Sequence, residues 1–141
     1  MTNFTIDGMD ELLKNMASLQ KKVETGAAKG ANDSATLLES SIKGDFLSGQ
    51  SLNVVTNNLR SGITAHPATA GEKAEASVTS TATSPRGFDY GAYHEYHDFV
   101  RHYSRYSSSS GSLRAFMKPA FVENSDKIQD KIKEGVKKAL K

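Results

Sequence analysis

The stretch His94-Glu95-Tyr96-His97 comes nearest to a chemical motif in this chain. The helical H-E-x-x-H zinc motif sets two histidines four residues apart on one helix face, with the glutamate beside the first as general base. Here the spacing is three. On a helix, residues three apart are still neighbours; on a strand, His94 and His97 point to opposite faces. Tyr90, Tyr93, Tyr96 and Phe99 make the segment aromatic and β-prone, which predicts a strand and therefore no metal site. Cysteine is absent, which removes disulfides, thiolate chemistry and Cys-ligated zinc. No G-x-S-x-G elbow, P-loop or dinucleotide fingerprint occurs. Serine, histidine and aspartate are all present, but in a serine-rich chain their coincidence is expected by chance. The reading is of a protein without catalytic, cofactor-binding or metal-binding residues.

Around that motif the composition is unusual. Ala92 to Gly111, AYHEYHDFVRHYSRYSSSSG, holds three of the four histidines, four of the five tyrosines, two arginines and a serine run. One chemistry available to it is nucleic-acid binding, with Arg101, His102 and Arg105 on phosphates and the tyrosines stacked on bases. Asp89, Glu95 and Asp98 stand against this, as does a net charge of only +2, small for a phosphate-tracking surface. The other chemistry is protein contact. Tyrosine and arginine dominate interface hot spots, and serine- and glycine-rich flanks let a segment adapt to a partner. Tyr93, Tyr96, Arg101, Tyr103, Arg105 and Tyr106 are the candidate assembly residues. A small nucleic-acid-binding protein using the same Tyr/Arg-rich segment is the alternative.

The elements that must position this segment are legible by periodicity. Phe4-Thr5-Ile6 alternates as a short edge strand, and Asp7 is placed as a helix N-cap, with Asp10 and Glu11 suiting the positive end of the dipole. Met9, Leu12, Leu13, Met16 and Leu19 recur at helical spacing and predict a helix over 9–23, its methionines filling the core. Ala28, Ala31, Ala35, Leu38, Ile42 and Phe46 form one stripe and predict a second helix over 25–46, its first half small enough for close approach of another element. Gly44 and Gly49 bracket its end.

Thr56 is placed to cap a short turn that turns Leu59 inward. Leu59, Ile63 and Ala65 alternate with Arg60, Thr64 and His66, and Ala74, Ala76, Val78 and Ala82 alternate with polar residues; with a turn over 67–71 they predict a β-hairpin. Ser84-Pro85-Arg86-Gly87 is a further turn, and residues 88–96 are expected to return as a third strand. Residues 97–112 lack periodicity and predict a flexible loop. Pro119 suits the first turn of a long last helix, with Phe121, Ile128, Ile132, Val136, Ala139 and Leu140 along one stripe. The fold class is α+β: a small antiparallel sheet packed by two N-terminal helices and one long C-terminal helix.

With 141 residues, 37% hydrophobic, and a negative mean hydropathy, the chain is read as one domain over 1–141 with a modest core. Its surface is then open to completion by neighbouring copies. Residues 118–141 carry seven lysines and four acidic residues, so the charge is uneven and the last helix has a solvated basic face. No apolar run approaches the roughly 20 residues a membrane span requires. No basic leader with an apolar core opens the chain, which predicts synthesis in a cytoplasm without secretion.

Three ordered stretches carry a resemblance: FTIDGMDELLKNMASL, LSGQSLNVVTNNLRSGI, and the pair YGAYHEY and RAFMKPAF. Together they resemble the tail-completion, or head–tail joining, proteins of long-tailed bacteriophages, the gene-ten-like group of lambdoid phages. The set covers the chain from Phe4 to Leu140. Asn57 stands where the family often has glycine, Gly62 replaces a serine, His97 stands where glycine commonly follows, and the 98–112 segment is longer than usual.

The resemblance implies a virion structural protein without enzymatic activity, located at the neck where head meets tail and present in the host cytoplasm during assembly. Its implied partners are itself, in a ring of six subunits or more, the phage connector or adaptor, and the tail-terminator or tail-tube proteins. Membrane has no part, and nucleic acid enters only as DNA passing through the channel. Thr56, Leu59, Arg60, Tyr93, Glu95, Phe116 and Pro119 match family positions. Leu59, Phe116 and Pro119 are read as fold determinants. Arg60 and Glu95 join the candidate assembly interface, either paired with each other or facing a neighbour.

Overall fold

The computed structural model describes residues 8–50, 57–71, 73–96 and 115–141. Its first element, α1, runs without interruption from Met9 to Ser41. The two helices expected over 9–23 and 25–46 are therefore one. Nothing between them breaks helical geometry, and local bonds bridge the expected joint: Gln20 donates to Glu24 at 2.8 Å and the Thr25 hydroxyl donates to the Lys21 carbonyl at 2.8 Å. Gly8 begins the helix in a left-handed conformation, φ 94°, and no side chain caps it. The expected cap, Asp7, lies outside the described residues, as do Phe4–Ile6 and Thr56. Beyond Ser41 the helix widens into a π-helical segment, Ile42–Gln50.

A single helical turn, α2 (Asn58–Ser61), leads into β1 (Ile63–His66). Asn57 enters that turn with φ 56°, a left-handed conformation that asparagine tolerates better than most side chains. β1 pairs antiparallel with β2 (Ser77–Ser80) in the register Ile63↔Ser80, Thr64↔Thr79, Ala65↔Val78, His66↔Ser77. The hairpin is as expected but shorter at both ends, since Leu59 belongs to α2.

The third strand is absent from the described sheet. After one bridge, Thr83↔Asp89, the chain turns into the short helix α3 (Tyr90–Tyr96). Two features of the sequence explain this. Asp89 accepts the Ala92 N–H at 2.9 Å, acting as a helix cap. Tyr90, Tyr93 and Tyr96 also recur every three residues, a helical spacing. The turn before it forms as expected, with the Ser84 hydroxyl accepting the backbone N–H groups of Arg86 and Phe88.

The last helix is divided. α4 (Met117–Glu123) and α5 (Ser125–Ala139) meet at buried Asn124. The Asn124 amide donates to the Ala120 carbonyl and to the Ser41 hydroxyl, both at 2.9 Å, which ties the break to the end of α1. Pro119 is the third residue of α4, within its first turn.

The core gathers Ile42, Phe46, Leu47, Ile63, Phe116 and Ala120, with Leu38, Leu59, Val78 and Met117 packed against it. Six residues of the expected stripe behave as predicted: Ala28, Ala35, Ile42 and Phe46 are buried, while Ala31 and Leu38 are half-buried. Burying a phenylalanine such as Phe46 or Phe116 stabilises by roughly 1.5–3 kcal/mol. The class is α+β: a long N-terminal helix, a C-terminal helix and a small two-stranded antiparallel sheet.

Candidate assembly surface

The second half of α1 holds α5 at unusually short range. A side chain at Gly30 would meet the Ile132 Cα at 2.5 Å and the Lys131 carbonyl at 2.8 Å. One at Gly26 would meet the Gly135 carbonyl and the Val136 Cα at 2.7 Å and the Ala139 Cβ at 2.8 Å. The Ser34 hydroxyl, buried in the same seam, donates to Gly30 and reaches the Ile128 carbonyl at 3.2 Å. Successive contacts of Ser34 with 128, Gly30 with 132 and Gly26 with 135–139 make the helices antiparallel.

The first half of α1 has no such partner among the described residues. Met9, Leu12, Leu13, Met16, Leu19 and Val23 are 38–58% exposed. This corrects the expectation that Met9 and Met16 fill the core. The stripe is in phase with the seam: positions 9, 12, 16, 19, 23, 26 and 30 follow a three–four repeat, so one continuous face is apolar and then glycine-lined. α5 covers its far end. A second apolar strip borders the seam on α5 and the two residues after it, where exposed Ile132 and Leu140 and half-buried Val136 form a shallow furrow flanked by Lys133, Lys137 and Lys141.

Of the interface residues expected from sequence, Arg60, Tyr93 and Glu95 have side chains among the described residues. Arg60 is exposed on α2, and its guanidinium makes no ion pair among the described residues. Tyr93 is half-buried on α3, its ring 4.9 Å from Phe88 in an edge-on contact; Phe88 also meets Tyr90 at 5.5 Å. Glu95 has a structural task. One carboxylate oxygen accepts the backbone N–H groups of Phe116 and Met117 at 3.0 Å, and the other accepts that of Lys118 at 2.8 Å. The carboxylate caps α4 and holds Phe116 into the core. Pairing with Arg60 is not what occupies it. The side chain of Tyr96, and Arg101, Tyr103, Arg105, Tyr106 and the whole 97–112 loop, lie outside the described residues.

The strand argument against a metal site does not survive, because His94 stands on a helix; His97 lies outside the described residues. Among the described residues no group of three or more His, Asp or Glu gathers to hold a metal ion. The Glu39 carboxyl is clearly perturbed. The Lys43 ammonium, bonded at 2.5 Å, holds the Glu39 carboxyl below its ordinary range, helped by the Ala65 N–H at 3.1 Å and opposed by partial burial. The bond from Ala65 ties α1 to the edge of β1. Asn32 adds a second tie, its side chain exchanging two hydrogen bonds with the Ala68 backbone.

The exposed stripe was missed because periodicity reports an apolar face without saying what covers it. With α1 continuous over 33 residues and α5 only 15 residues long, the last helix is too short to cover the whole of α1. No helix among the described residues is long and apolar enough to cross a membrane. No family model, curated protein or solved structure matches the chain.

Proposed function

We propose that the chain is a ring-forming structural subunit at the head–tail junction of a long-tailed bacteriophage, acting through contact and not catalysis. The ordered resemblance from Phe4 to Leu140 supports this reading. The observation that carries it is the uncovered stripe on α1, Met9 to Val23. Six large apolar residues on one face amount to roughly several hundred Å2 of exposed surface, the scale at which patches mark interaction sites. A subunit built to be buried in an assembly accounts for that surface without any enzymatic pocket. In this reading Tyr93, Tyr96, Arg101, Tyr103, Arg105 and Tyr106 supply contacts to the connector on one side or the tail-terminator or tail-tube proteins on the other.

The test is location. Antibody labelling and electron microscopy of intact particles should find the chain at the neck, and its absence there sinks the proposal. The rival nucleic-acid reading is separated by DNA binding across a salt series. A steep salt dependence that disappears in Arg101→Ala and Arg105→Ala would favour the rival.

A further inference from the structure

Two apolar surfaces on this molecule stand open: the stripe Met9–Val23 on α1 and the furrow Ile132–Leu140 on α5. We infer that they are the two halves of one contact, the α1 stripe of one copy seating in the α5 furrow of the next. The inference rests on the ring-subunit reading above and names the surfaces through which the ring closes.

Three observations select this occupant. The first is continuity. The stripe prolongs, in the same helical phase, the seam that α5 of the same chain already fills at Gly26, Gly30 and Ser34. A face that accepts α5 over its second half is shaped for a like helix over its first.

The second is charge. α1 carries Asp10 and Glu11 at the start of the stripe and Lys21 and Lys22 near its end. The early half of α5 is balanced, Asp126 and Asp130 against Lys127 and Lys131, while its late half is basic, with Lys133, Lys137 and Lys138 against Glu134 and Lys141 following the helix. An antiparallel seat, the orientation of the intramolecular seam, puts Asp10 and Glu11 of α1 near the late lysines of α5 and keeps Lys21 and Lys22 away from them. A parallel seat would set like charges together.

The third is coverage. Two α1 stripes paired with each other would leave both furrows open, whereas a stripe seated in a furrow covers both kinds of surface on every subunit. Exchange between unlike surfaces gives each subunit two contacts. Such heterologous contacts close into a ring where the rotation between copies closes, and run on as a filament where it does not.

The absence of cysteine makes the test clean. Leu12 and Leu140 are 54% and 44% exposed, so replacing both with cysteine leaves the fold intact. Within one chain they cannot bridge. Leu140 follows Ala139, which lies against Gly26, and Leu12 is about 20 Å further along α1, far beyond the ~7 Å between Cα atoms that a disulfide spans.

The L12C/L140C chain is oxidised at high concentration and, separately, within assembled particles. A ladder of covalent oligomers from the double variant, lost in L12C and L140C alone, is the expected result. No ladder in either setting overturns the inference. So does a covalent dimer from Met16→Cys alone, since that reports α1 paired with α1. A ladder from a chain that is missing from the particle neck keeps the contact and removes the phage reading.

Discussion

Gly30 on α1 and Gly135 on α5 face each other where neither can carry a side chain. A Cβ built on Gly135 would lie 2.8 Å from the Gly30 nitrogen and 3.0 Å from its Cα. The crossing is made by backbone against backbone, as in the close helix pairs that small residues permit, and it fixes both the angle and the register of α5.

Substitution at this crossing should be costly out of proportion to its size. Gly30→Ala adds one methyl group against the Ile132 backbone, which cannot give as a flexible side chain would. Destabilisation of at least about 1–3 kcal/mol is expected, as for other overpacked sites. Gly44→Ala is the control, because nothing lies within 4 Å of its Cβ position. It should stabilise by about 0.5–1 kcal/mol through helix propensity. Urea unfolding midpoints of the two variants should move in opposite directions.

Glu95→Ala removes three accepted backbone hydrogen bonds at the start of α4. A loss of about 2 kcal/mol is expected, at the high end for a helix cap because the acceptor is charged. Glu95→Gln keeps one carbonyl acceptor and should fall between the two. If Glu95 were instead an interface residue held by Arg60, Arg60→Ala would match the loss in stability; it is expected to leave the unfolding midpoint unchanged.

Acid should weaken the fold through Glu39. Its carboxyl is depressed in the folded state by the Lys43 bond first and by the Ala65 N–H second. The stabilisation is therefore present above the ordinary glutamate range and is lost as pH falls through the depressed folded value. Unfolding measured from neutral pH into the acid range should show a decline that is shallower in Glu39→Gln.

Gly62→Ser should destabilise this chain. A Cβ at Gly62 would meet the Ala82 nitrogen at 2.8 Å and its Cβ at 2.9 Å. Thermal unfolding should report a lower midpoint. An unchanged midpoint would mean that the approach of Ala82 relaxes freely.

How much of this was legible beforehand differs by element. The stripe from Ala28 to Phe46 and the hairpin alternation at Ile63, Ala65 and Val78 are patterns that local geometry dictates, and they form as read. The break at Asn124 was hidden, because it depends on an amide reaching Ser41 some eighty residues away. The segment Tyr90–Tyr96 satisfied two periodicities at once: its aromatic residues favour a strand, while their three-residue spacing and the Asp89 cap favour a helix, and the cap prevailed. The sequence reads Glu95 as an interface residue or the partner of Arg60, whereas its bonds in the fold go to the backbone of α4. Its partners, three backbone N–H groups twenty-odd positions later, leave no trace in side-chain identity.

The Glu95 cap has a bearing on how this chain can change. Because Glu95 grips the backbone from Phe116 to Lys118, residue 95 and residues 116–118, some twenty positions apart in sequence, are fastened together directly. Closing a loop of twice the length costs only about 0.6 kcal/mol more. Residues added between these two points would therefore cost little further closure entropy, because the grip of Glu95 on α4 fixes both ends of the insertion.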